Sequence, residues 1–407
     1  MTREFKDSGI EWIGSIPKDW KVIPHKRVMR KLKEICVSYD GEDIISLTTN
    51  GIIVRDLTAG GKMPTSFDGY QYVYPGNLLM CLFDIDVTPR CVGYVRNEGL
   101  TSPAYSRFEM FKGVFGPYYD YLLRYMDDEK CLLHLSKNLR SSLTEDDFGQ
   151  IPTILPSFSE QKSIADFLDK KCAEIDSLVD IQEQMIAKLT DYKQSVITET
   201  VTKGLDPDVE LVPSGIDWIG DYPSHWDIIK IGFIFDNLDY LREPISAELR
   251  ERNNPQYDYY GASGVIDKID HYNVDDKVLL IGEDGANLVM RNLPLIYKAE
   301  GKFWVNNHAH ILRPKKDDYD YLAHALEAAN YRNYITGSAQ PKLSQENLQA
   351  VKLPIPPLSE QHTIAEYLDV KCDEIDALIA AKKQKIEKLK EYKKSVIFEA
   401  VTGKIEV

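Results

Sequence analysis

A long internal repeat constrains the fold of this 407-residue chain more than any other feature. Ser159-Glu160-Gln161 returns as Ser359-Glu360-Gln361, and the match continues without a gap as far as Ser195-Val196-Ile197 and Ser395-Val396-Ile397. Every matched pair is separated by the same 200 positions. A repeat this regular indicates a duplicated structural unit.

A second, shorter repeat lies at the start of each variable region. Residues 8–14, with the sequence SGIEWIG, return as residues 214–220, with the sequence SGIDWIG, at an offset of 206 positions. The sequences between the repeated segments look unrelated. The chain therefore consists of a head, a variable region and a repeated segment, followed by the same three parts again.

The repeated segment has the pattern of a long helix. No Pro or Gly occurs between Ser159 and Lys203 or between Ser359 and Thr402, and the two serines are the predicted N-cap residues. A helix of about 40 residues would be about 60 Å long. Apolar residues recur at steps of three and four in both copies, which makes one apolar stripe on each helix. The stripes consist of Ile164, Leu168, Ile175, Leu178, Leu189 and Val196 in the first copy and of Ile364, Leu368, Ile375, Leu378, Leu389 and Val396 in the second.

Two such stripes in one chain are most simply buried against each other, as an antiparallel coiled coil with a pseudo-twofold internal repeat. The alternative is that each helix packs on its own domain as an ordinary core helix. We predict an α+β (mixed α/β) fold in which the coiled coil separates two strand-rich globular domains. The predicted ranges are 1–155 for the first domain, 156–204 for the first spacer helix, 205–355 for the second domain and 356–407 for the second spacer helix.

Both variable regions have the pattern of mixed α/β domains rich in strands. Candidate strands lie at residues 44–47, 72–74, 78–82 and 91–95 in the first region and at 278–281 and 310–312 in the second. Each region ends in a predicted helix, 118–126 or 319–329, followed by a polar loop. We therefore expect the two regions to share a fold while their loop side chains differ.

Polar side chains in these loops could donate or accept hydrogen bonds at base edges, and they are candidate DNA contacts. The densest basic cluster follows Pro24 on a predicted helix and suits phosphate contacts. For each residue, an ordinary surface or turn role is the alternative. The candidates are Lys26, Arg27, Arg30, Lys31, Asn50, Arg55, Lys62, Arg90, Arg96 and Arg140 in the first region and Arg291, Lys302, Asn306, Asn307, His308, Gln340 and Lys342 in the second.

The net charge of −15 argues against an indiscriminate nucleic-acid binder. Residues 1–155 carry 19 basic and 21 acidic side chains, whereas residues 205–356 carry 15 basic and 24 acidic ones. Any DNA binding must therefore come from local basic clusters or from a partner that adds positive charge.

No catalytic, cofactor or metal site is predicted in this chain. Asn254-Pro255-Gln256-Tyr257 departs from an amino-methyltransferase tetrapeptide at Gln256, and Gly282-Glu283-Asp284-Gly285 is interpreted as a turn. His308-Ala309-His310 lacks a third metal ligand. The six cysteines form no CxxC pair and are expected to be buried thiols. The charged residues 1–7 have no signal-peptide core and no apolar run would span a bilayer, so we expect a cytoplasmic location.

Several of these segments resemble one known family. Residues 353–361 (LPIPPLSEQ), their earlier copy at 155–161 (LPSFSEQ) and the helices that follow resemble the conserved regions of type I restriction-modification specificity subunits. Residues 260–266 (YGASGVI) and 282–286 (GEDGA) are similar to elements common in that family's recognition domains. The resemblance covers essentially the whole chain.

The resemblance implies a DNA sequence-specificity subunit without catalytic activity. Two target-recognition domains, 1–155 and 205–355, would each read one half of a bipartite site in double-stranded DNA, and the spacer helices would set the gap. Two methyltransferase (M) subunits would dock on the helices, and restriction (R) subunits would join through them; no membrane is expected as a partner. This chain would bind no cofactor, whereas S-adenosylmethionine is expected on the M subunits and ATP and Mg on the R subunits.

One rival function belongs to another class. A coiled-coil scaffold could join two protein-binding domains without touching DNA. A free-standing methyltransferase is disfavoured because the sequence has no motif for its cofactor.

Overall fold

Two compact units make up the fold. The structure, a computed structural model, describes residues 3–49, 51–58, 64, 66–88, 90–136, 141–246, 256–337 and 339–407. The first unit comprises Met1–Gln182 and Gln384–Val407, and the second comprises Glu183–Lys383. Each unit therefore combines one variable region with part of both long helices. The domain ranges expected from the sequence stay a prediction.

The elements of the first variable region are short. In chain order they are β1 (Phe5–Asp7), β2 (Ser15–Pro17), β3 (Lys21–Pro24), β4 (Met29–Leu32), β5 (Ile45–Thr48), β6 (Gly51–Val54), β7 (Gln71–Val73), β8 (Leu78–Met80), β9 (Val92–Tyr94), β10 (Gly99–Thr101), β11 (Ser106–Met110), α1 (Gly116–Asp128), α2 (Glu145–Gln150) and β12 (Pro152–Leu155).

The first long helix leads into the second variable region. The elements are α3 (Phe158–Lys203), β13 (Leu211–Pro213), β14 (Asp221–Pro223), β15 (Asp227–Lys230), α4 (Ile231–Ile234), β16 (Phe235–Asn237), β17 (Tyr257–Gly261), β18 (Gly264–Ile269), β19 (Val274–Gly282), α5 (Asn287–Met290), β20 (Ile296–Val305), β21 (Ala309–Pro314), α6 (Tyr319–Ala328), β22 (Ile335–Thr336), β23 (Lys342–Leu343), α7 (Gln345–Ala350), β24 (Lys352–Ile355) and α8 (Leu358–Val401). Among the described helices none is long and apolar enough to cross a membrane.

Strands form the centre of both variable regions, as the sequence predicts. In the first unit the largest sheet has the antiparallel order β4-β11-β8-β9. In the second unit six strands follow the order β16-β21-β19-β20-β17-β18, and only the β17–β20 pair is parallel. The sequence predicts only the buried end of β19, because its first half carries the polar residues Asp275, Asp276 and Lys277. The six cysteines are free and buried, as expected.

The two long helices run antiparallel within each unit, as predicted. In the first unit Lys393 Nζ donates to Asp176 at 2.7 Å, and Val396 shares a hydrophobic core with Ile164 and Leu168. Later positions of α8 therefore lie beside earlier positions of α3. This pairing buries apolar side chains of both helices that neither helix could bury alone.

The second unit contains the equivalent pairing. Lys193 Nζ donates to Asp376 at 2.6 Å, and Ile197 shares a core with Ile364 and Leu368. The cross-helix ion pairs are thus related by the repeat, since Lys193 corresponds to Lys393 and Asp376 to Asp176. The pseudo-twofold repeat of the sequence is also a repeat of contacts.

The helix pair does not bury the whole predicted stripe. Its buried members are Ile164, Leu168, Ile175, Ile364, Leu368, Ile375 and Val396, and its half-buried members are Leu189, Val196 and Leu389. Leu178 and Leu378 are 43% and 51% exposed. A two-helix seam covers a narrower face than the stripe occupies, so these equivalent leucines remain at the surface.

The predicted N-cap residues are wrong by two positions. Helix α3 begins at Phe158, and the Ser157 hydroxyl accepts from the Glu160 N–H at 3.3 Å while the Glu160 carboxylate accepts from the Ser157 N–H at 3.1 Å. This is a capping box, whose S-x-x-E signature is present in the sequence. Helix α8 begins at Leu358, directly after Pro357.

Each helix start is tied to its own domain by a buried glutamine. The Gln161 side-chain oxygen accepts from the Phe115 N–H at 2.7 Å, and the Gln361 oxygen accepts from the Asp318 N–H at 2.8 Å. Phe115 and Asp318 immediately precede α1 and α6. These two helices are therefore equivalent in the two units.

The preceding glutamate makes a second repeated contact. The indole N–H of Trp20 donates to Glu160 at 3.2 Å, and that of Trp226 donates to Glu360 at 2.9 Å. Trp20 and Trp226 each follow a repeated head by six residues and are related by the same offset of 206 positions. The heads and the helix starts are thus repeated together because their side chains bind one another.

A third repeated contact joins the domain helix to the end of a long helix. The Tyr118 hydroxyl donates to the Val401 carbonyl at 2.8 Å, and the Tyr321 hydroxyl lies 3.5 Å from the Val201 carbonyl. Both tyrosines are fully buried. The two variable regions consequently share a frame although their sequences differ.

A buried ionic contact stabilises the loops of the second unit. His310 is fully buried, with Nδ1 2.6 Å from Asp239 and Nε2 2.8 Å from the Leu343 carbonyl oxygen. Asp239 also accepts from the Ile311 N–H at 2.9 Å. Burial acts to raise the pKa of the Asp239 carboxyl, but the hydrogen bond and the charge of His310 outweigh it, and the pKa lies below its ordinary value of 3.8.

We expect Leu168→Ala to lower the free energy of unfolding by about 2–5 kcal/mol, because it leaves a cavity in a closed core. Leu178→Ala is the matched control on the same helix. It should cost less than about 1 kcal/mol, because that side chain is already half in solvent. Urea unfolding followed by circular dichroism measures both, and equal losses would contradict the helix packing.

We expect Asp239→Asn to lower the free energy of unfolding at pH 7 by about 1–3 kcal/mol. The substitution removes the carboxylate whose two oxygens contact the His310 ring and the Ile311 N–H. Since the folded-state pKa of Asp239 is lowered, its stabilisation is present above pH 3.8 and lost as the pH falls through the lowered value. The difference between the two proteins should therefore shrink in acid. Urea unfolding between pH 7 and pH 3 tests this, with the exposed Asp217→Asn as control; a difference independent of pH would contradict it.

Candidate nucleic-acid interface

The basic cluster of the first unit lies on a turn and a strand. The helix predicted there is wrong, because His25–Arg27 form a single 3-10 turn that leads into β4. Arg30 and Lys31 therefore belong to β4, the edge strand of the four-stranded sheet. The four cations of the cluster are all exposed: Lys26, Arg27, Arg30 and Lys31. Lys26 donates to the Gln150 side chain at 3.0 Å.

Carboxylates accompany two of these cations. Arg30 pairs with Glu109 at 2.6 Å, and Lys31 pairs with Glu145. Arg27 makes no ion pair within the described part of the chain. A phosphate would meet an open guanidinium at Arg27 but would compete with a carboxylate at Arg30 and Lys31.

Two further arginines of the first unit follow strands. Arg96 is exposed after β9, with its guanidinium carbon 5.9 Å from the centroid of the Tyr94 ring, and it makes no ion pair among the described residues. Stacking on a ring leaves the donor edge of a guanidinium open to solvent. Arg55 is half-buried and directly follows β6. Arg96 has the more accessible geometry for a base or a phosphate.

Arg90 has a different environment. Its side chain is only 17% exposed and pairs with Asp127 at 3.4 Å and with Asp128 at 2.8 Å. Asp127 is buried and also accepts from the Cys91 N–H at 2.8 Å. Arg90 thus compensates a buried carboxylate, which is a role in stability. Three other candidates, Asn50, Lys62 and Arg140, lie outside the described residues.

A polar turn brings three candidates of the second unit together. Asn306 is buried, and its side-chain oxygen accepts from the His308 N–H at 2.8 Å, so it shapes the turn between β20 and β21. Asn307 and His308 are exposed on that turn. The His308 ring lies 2.8 Å from Asp284, in the turn that ends β19.

Lys342 belongs to the same surface. Its ammonium group lies 2.9 Å from Glu283, and Arg242 bonds the other oxygen of this carboxylate. Burial acts to raise the pKa of Glu283, but the hydrogen bonds from Lys342 and Arg242 outweigh it and hold the pKa below its ordinary value. The charged carboxylate positions the Lys342 side chain, and Gln340 is exposed two residues earlier.

Arg291 and Lys302 lie elsewhere in this unit. Arg291 donates to the Glu327 carbonyl at 2.9 Å and to the Ala329 carbonyl, at the carboxyl end of α6. It therefore satisfies open helix carbonyls, which is a capping role. Lys302 is exposed on β20, with its nitrogen 4.6 Å from the centroid of the Tyr272 ring.

Sequence reasoning missed the buried groups behind the polar turn. Asp239 and Arg242 lie three residues apart, but their partners His310 and Glu283 are 71 and 41 positions away, and no local pattern connects them. The only local signal is Gly282-Glu283-Asp284-Gly285, for which the sequence predicts a turn. The structure agrees with a turn but adds that Glu283 and Asp284 orient Lys342 and His308.

The described side chains suit binding by hydrogen bonds and charge. Exposed guanidinium and ammonium donors lie on the turn and strands of the first unit, and exposed amide, imidazole and ammonium donors lie on the turns and strands of the second. Among the described residues no group of three or more His, Cys, Asp or Glu side chains could hold a metal ion.

Comparisons with known proteins find similarity to specificity subunits of type I restriction enzymes. Residues 223–389 match the family model described as the type I restriction modification DNA specificity domain. A putative type I restriction enzyme specificity subunit of Haemophilus influenzae is 36% identical over 129 residues, which is 31% of this chain and 32% of the relative. The putative MjaX specificity subunit of Methanocaldococcus jannaschii is 24% identical over 73% of this chain and 70% of the relative.

Two solved structures share the fold. A chain from a type I R-M system structure matches with a TM-score of 0.71 at 15% identity, over 96% of this chain and 99% of that chain. The HsdS subunit from Thermoanaerobacter tengcongensis matches with a TM-score of 0.52 at 16% identity, over 96% and 98%. The repeated frame, the family model and these relatives agree. Residues 223–389 thus match the DNA specificity domain of type I restriction-modification systems, and most of the chain is similar to the specificity subunits of those systems.

Proposed function

We propose that this chain reads a bipartite sequence in double-stranded DNA, one half with each variable region. The observation that carries the proposal is the repetition of frame contacts beneath loops that differ. Gln161 and Gln361 make equivalent bonds in the two units, yet the loop after β9 exposes Arg96 whereas the turn after β20 exposes Asn307 and His308. Two equal frames with unlike loops suit the recognition of two unlike half-sites.

In the first domain we assign base or phosphate contacts to Arg96, Arg27 and Arg55. The exposed guanidinium of Arg96 can make two parallel hydrogen bonds to a guanine edge. Lys26, Arg30 and Lys31 are assigned phosphate contacts that set position without reading sequence. Asn50, Lys62 and Arg140 remain candidates from their sequence position.

In the second domain we assign the contacts to the polar turn around Glu283 and Asp284. His308 and Lys342 are held there by carboxylates, which fixes their direction before DNA binds. Asn307 and Gln340 can each donate and accept at an adenine edge. Lys302 lies on the adjoining strand and suits a phosphate.

The paired helices are proposed as the spacer between the half-sites and as the docking surface for two methyltransferase subunits. The exposed Leu178 and Leu378 support the docking role, since unburied leucines at equivalent positions suit equivalent partners. Restriction subunits would join through the methyltransferase subunits. S-adenosylmethionine would be bound by the methyltransferase subunits, and ATP and Mg by the restriction subunits.

The negative net charge of the chain suggests that its partner subunits contribute part of the DNA-binding surface. With a net charge of −15, the lone chain should bind DNA weakly at physiological salt. Partner subunits that add positive charge would strengthen the binding of the duplex. A scaffold without DNA contact would show no duplex binding even in the complex, and a gel shift on random duplexes separates the two functions.

We expect Arg96→Ala to weaken binding of the preferred DNA about 5- to 150-fold and to relax only one half-site, because one bidentate base contact is worth about 1–3 kcal/mol. Lys342→Ala is the matched variant in the other domain and should relax only the other half-site. Selection from randomised duplexes with the chain and its methyltransferase subunits measures both. If either variant relaxed the sequence specificity at both half-sites, the proposal that each domain recognises one half-site would be contradicted.

We expect the insertion of one helical turn near the middle of each long helix to lengthen the gap by about one to two base pairs, because a turn adds about 5.4 Å. Both half-site sequences should stay the same. A four-residue insertion after the exposed Gly41 is the control and should leave the gap unchanged. An unaltered gap after the helix insertions, in the same selection, would rule out the spacer role.

A further inference from the structure

An aromatic stack closes one corner of the first unit. The Tyr125 ring lies between Trp12 and Phe398, with centroid distances of 6.0 Å and 4.9 Å. The Lys404 ammonium group covers the far side, 3.9 Å from the centroid of Phe398. The head, the domain helix α1 and the end of α8 thus meet through stacked rings.

The same corner of the second unit lacks these rings. Trp218 corresponds to Trp12 at the offset of the heads, and Thr198 corresponds to Phe398 at the offset of the long helices. The alignment of α1 with α6, defined by the Gln161 and Gln361 bonds, places Ala328 where the first unit has Tyr125. Two large rings are therefore replaced by a hydroxyl and a methyl group.

A cavity occupies the vacated place. It has a volume of about 350 Å³ and is lined by Trp218, Thr198 and Ala328, together with Leu288 and Tyr331. Val289, at its mouth, is 45% exposed, and the next apolar residues, Met290 and Leu293, are 66% and 51% exposed. An apolar cavity that continues into an exposed apolar patch is typical of a protein-binding surface.

Positive charge on the cavity wall favours a partner that carries a carboxylate. Arg291 and Arg332 line one side, and neither makes an ion pair within the described residues. The guanidinium of Arg291 bonds neutral carbonyl oxygens and has no carboxylate at ion-pair distance among the described residues, although the charge of Glu327 acts on it from further away. A neighbouring pocket that also contacts Trp218 is lined by the acidic Glu199 and Asp217. A carboxylate beside the occupant would therefore face the two arginines.

We propose that this cavity is a docking site for a partner polypeptide that inserts a Phe, Tyr or Trp side chain flanked by a carboxylate. The inserted ring would stack on Trp218 in the place that Tyr125 fills in the first unit. In the first unit Tyr125 and Phe398 fill the equivalent place, so the partner would distinguish the two halves of an otherwise repeated frame. The inference goes beyond DNA reading and does not depend on it.

The experiment uses the full-length chain with nitrogen-15 in its tryptophan side chains, titrated with short blocked peptides and observed by NMR. The probes are acetyl-Glu-Phe-Glu-amide, the alanine analogue acetyl-Glu-Ala-Glu-amide and the basic analogue acetyl-Lys-Phe-Lys-amide. The Phe peptide with glutamates should shift the Trp218 indole signal and leave that of Trp12 unchanged. The other two peptides should bind at least tenfold more weakly.

Refilling the cavity gives the matched variant. Thr198→Phe with Ala328→Tyr should rebuild the aromatic stack and weaken binding of the Glu-Phe-Glu peptide at least tenfold. Val289→Glu, at an exposed position, should have the same effect without touching the core, and it decides the matter if the double variant does not fold.

Several outcomes would overturn the proposal. They are no shift of Trp218 at millimolar Glu-Phe-Glu peptide, equal shifts of Trp12 and Trp218, or unchanged binding by the refilled and Val289→Glu variants. Phenylacetate binding as tightly as the peptide would assign the cavity to a small aromatic acid instead. A Trp218 signal that depends on protein concentration without peptide would assign it to a second copy of this chain.

Discussion

Two buried glutamines at the starts of the long helices hold this structure together. Gln161 and Gln361 each accept from the backbone N–H that precedes a domain helix, and the neighbouring glutamates accept from the indole groups of Trp20 and Trp226. A buried amide left without these partners would cost about 1–3 kcal/mol, so the helix start and the domain cannot change independently. The repeated Ser-Glu-Gln segment supplies the glutamate of the Trp–Glu contact, and the tryptophan follows each repeated head.

With the frame held in this way, the rest of each unit can diverge, in the core as well as in the loops. The His25 N–H bonds the Ile151 carbonyl at 3.0 Å, and the Ile231 N–H bonds the Val351 carbonyl at 2.8 Å, so these residues are equivalent. Burial lowers the pKa of His25 to about 4, which keeps it neutral where the second unit has an isoleucine. The aromatic corner of the first unit and the cavity of the second are a further divergence on the same frame.

The candidate site was only partly predictable from residue type. Arg96, His308 and Lys342 are exposed and stay predicted contacts, but Arg90 compensates a buried aspartate and Arg291 caps a helix. An arginine in a loop has the same sequence appearance in each case. The difference depends on which carboxylate or carbonyl lies beside it after folding, and those partners are distant in sequence.

The sequence by itself determined the duplication, the two long helices and the strand-rich variable regions, because periodic patterns and repeats are local properties of the chain. Only the tertiary structure decided that Leu178 and Leu378 stay exposed, that Asp239 and His310 form a buried pair, and which loop cations remain open. These features arise from contacts between segments that no local pattern links, and burial, which sets their energies, exists only once those segments have packed together.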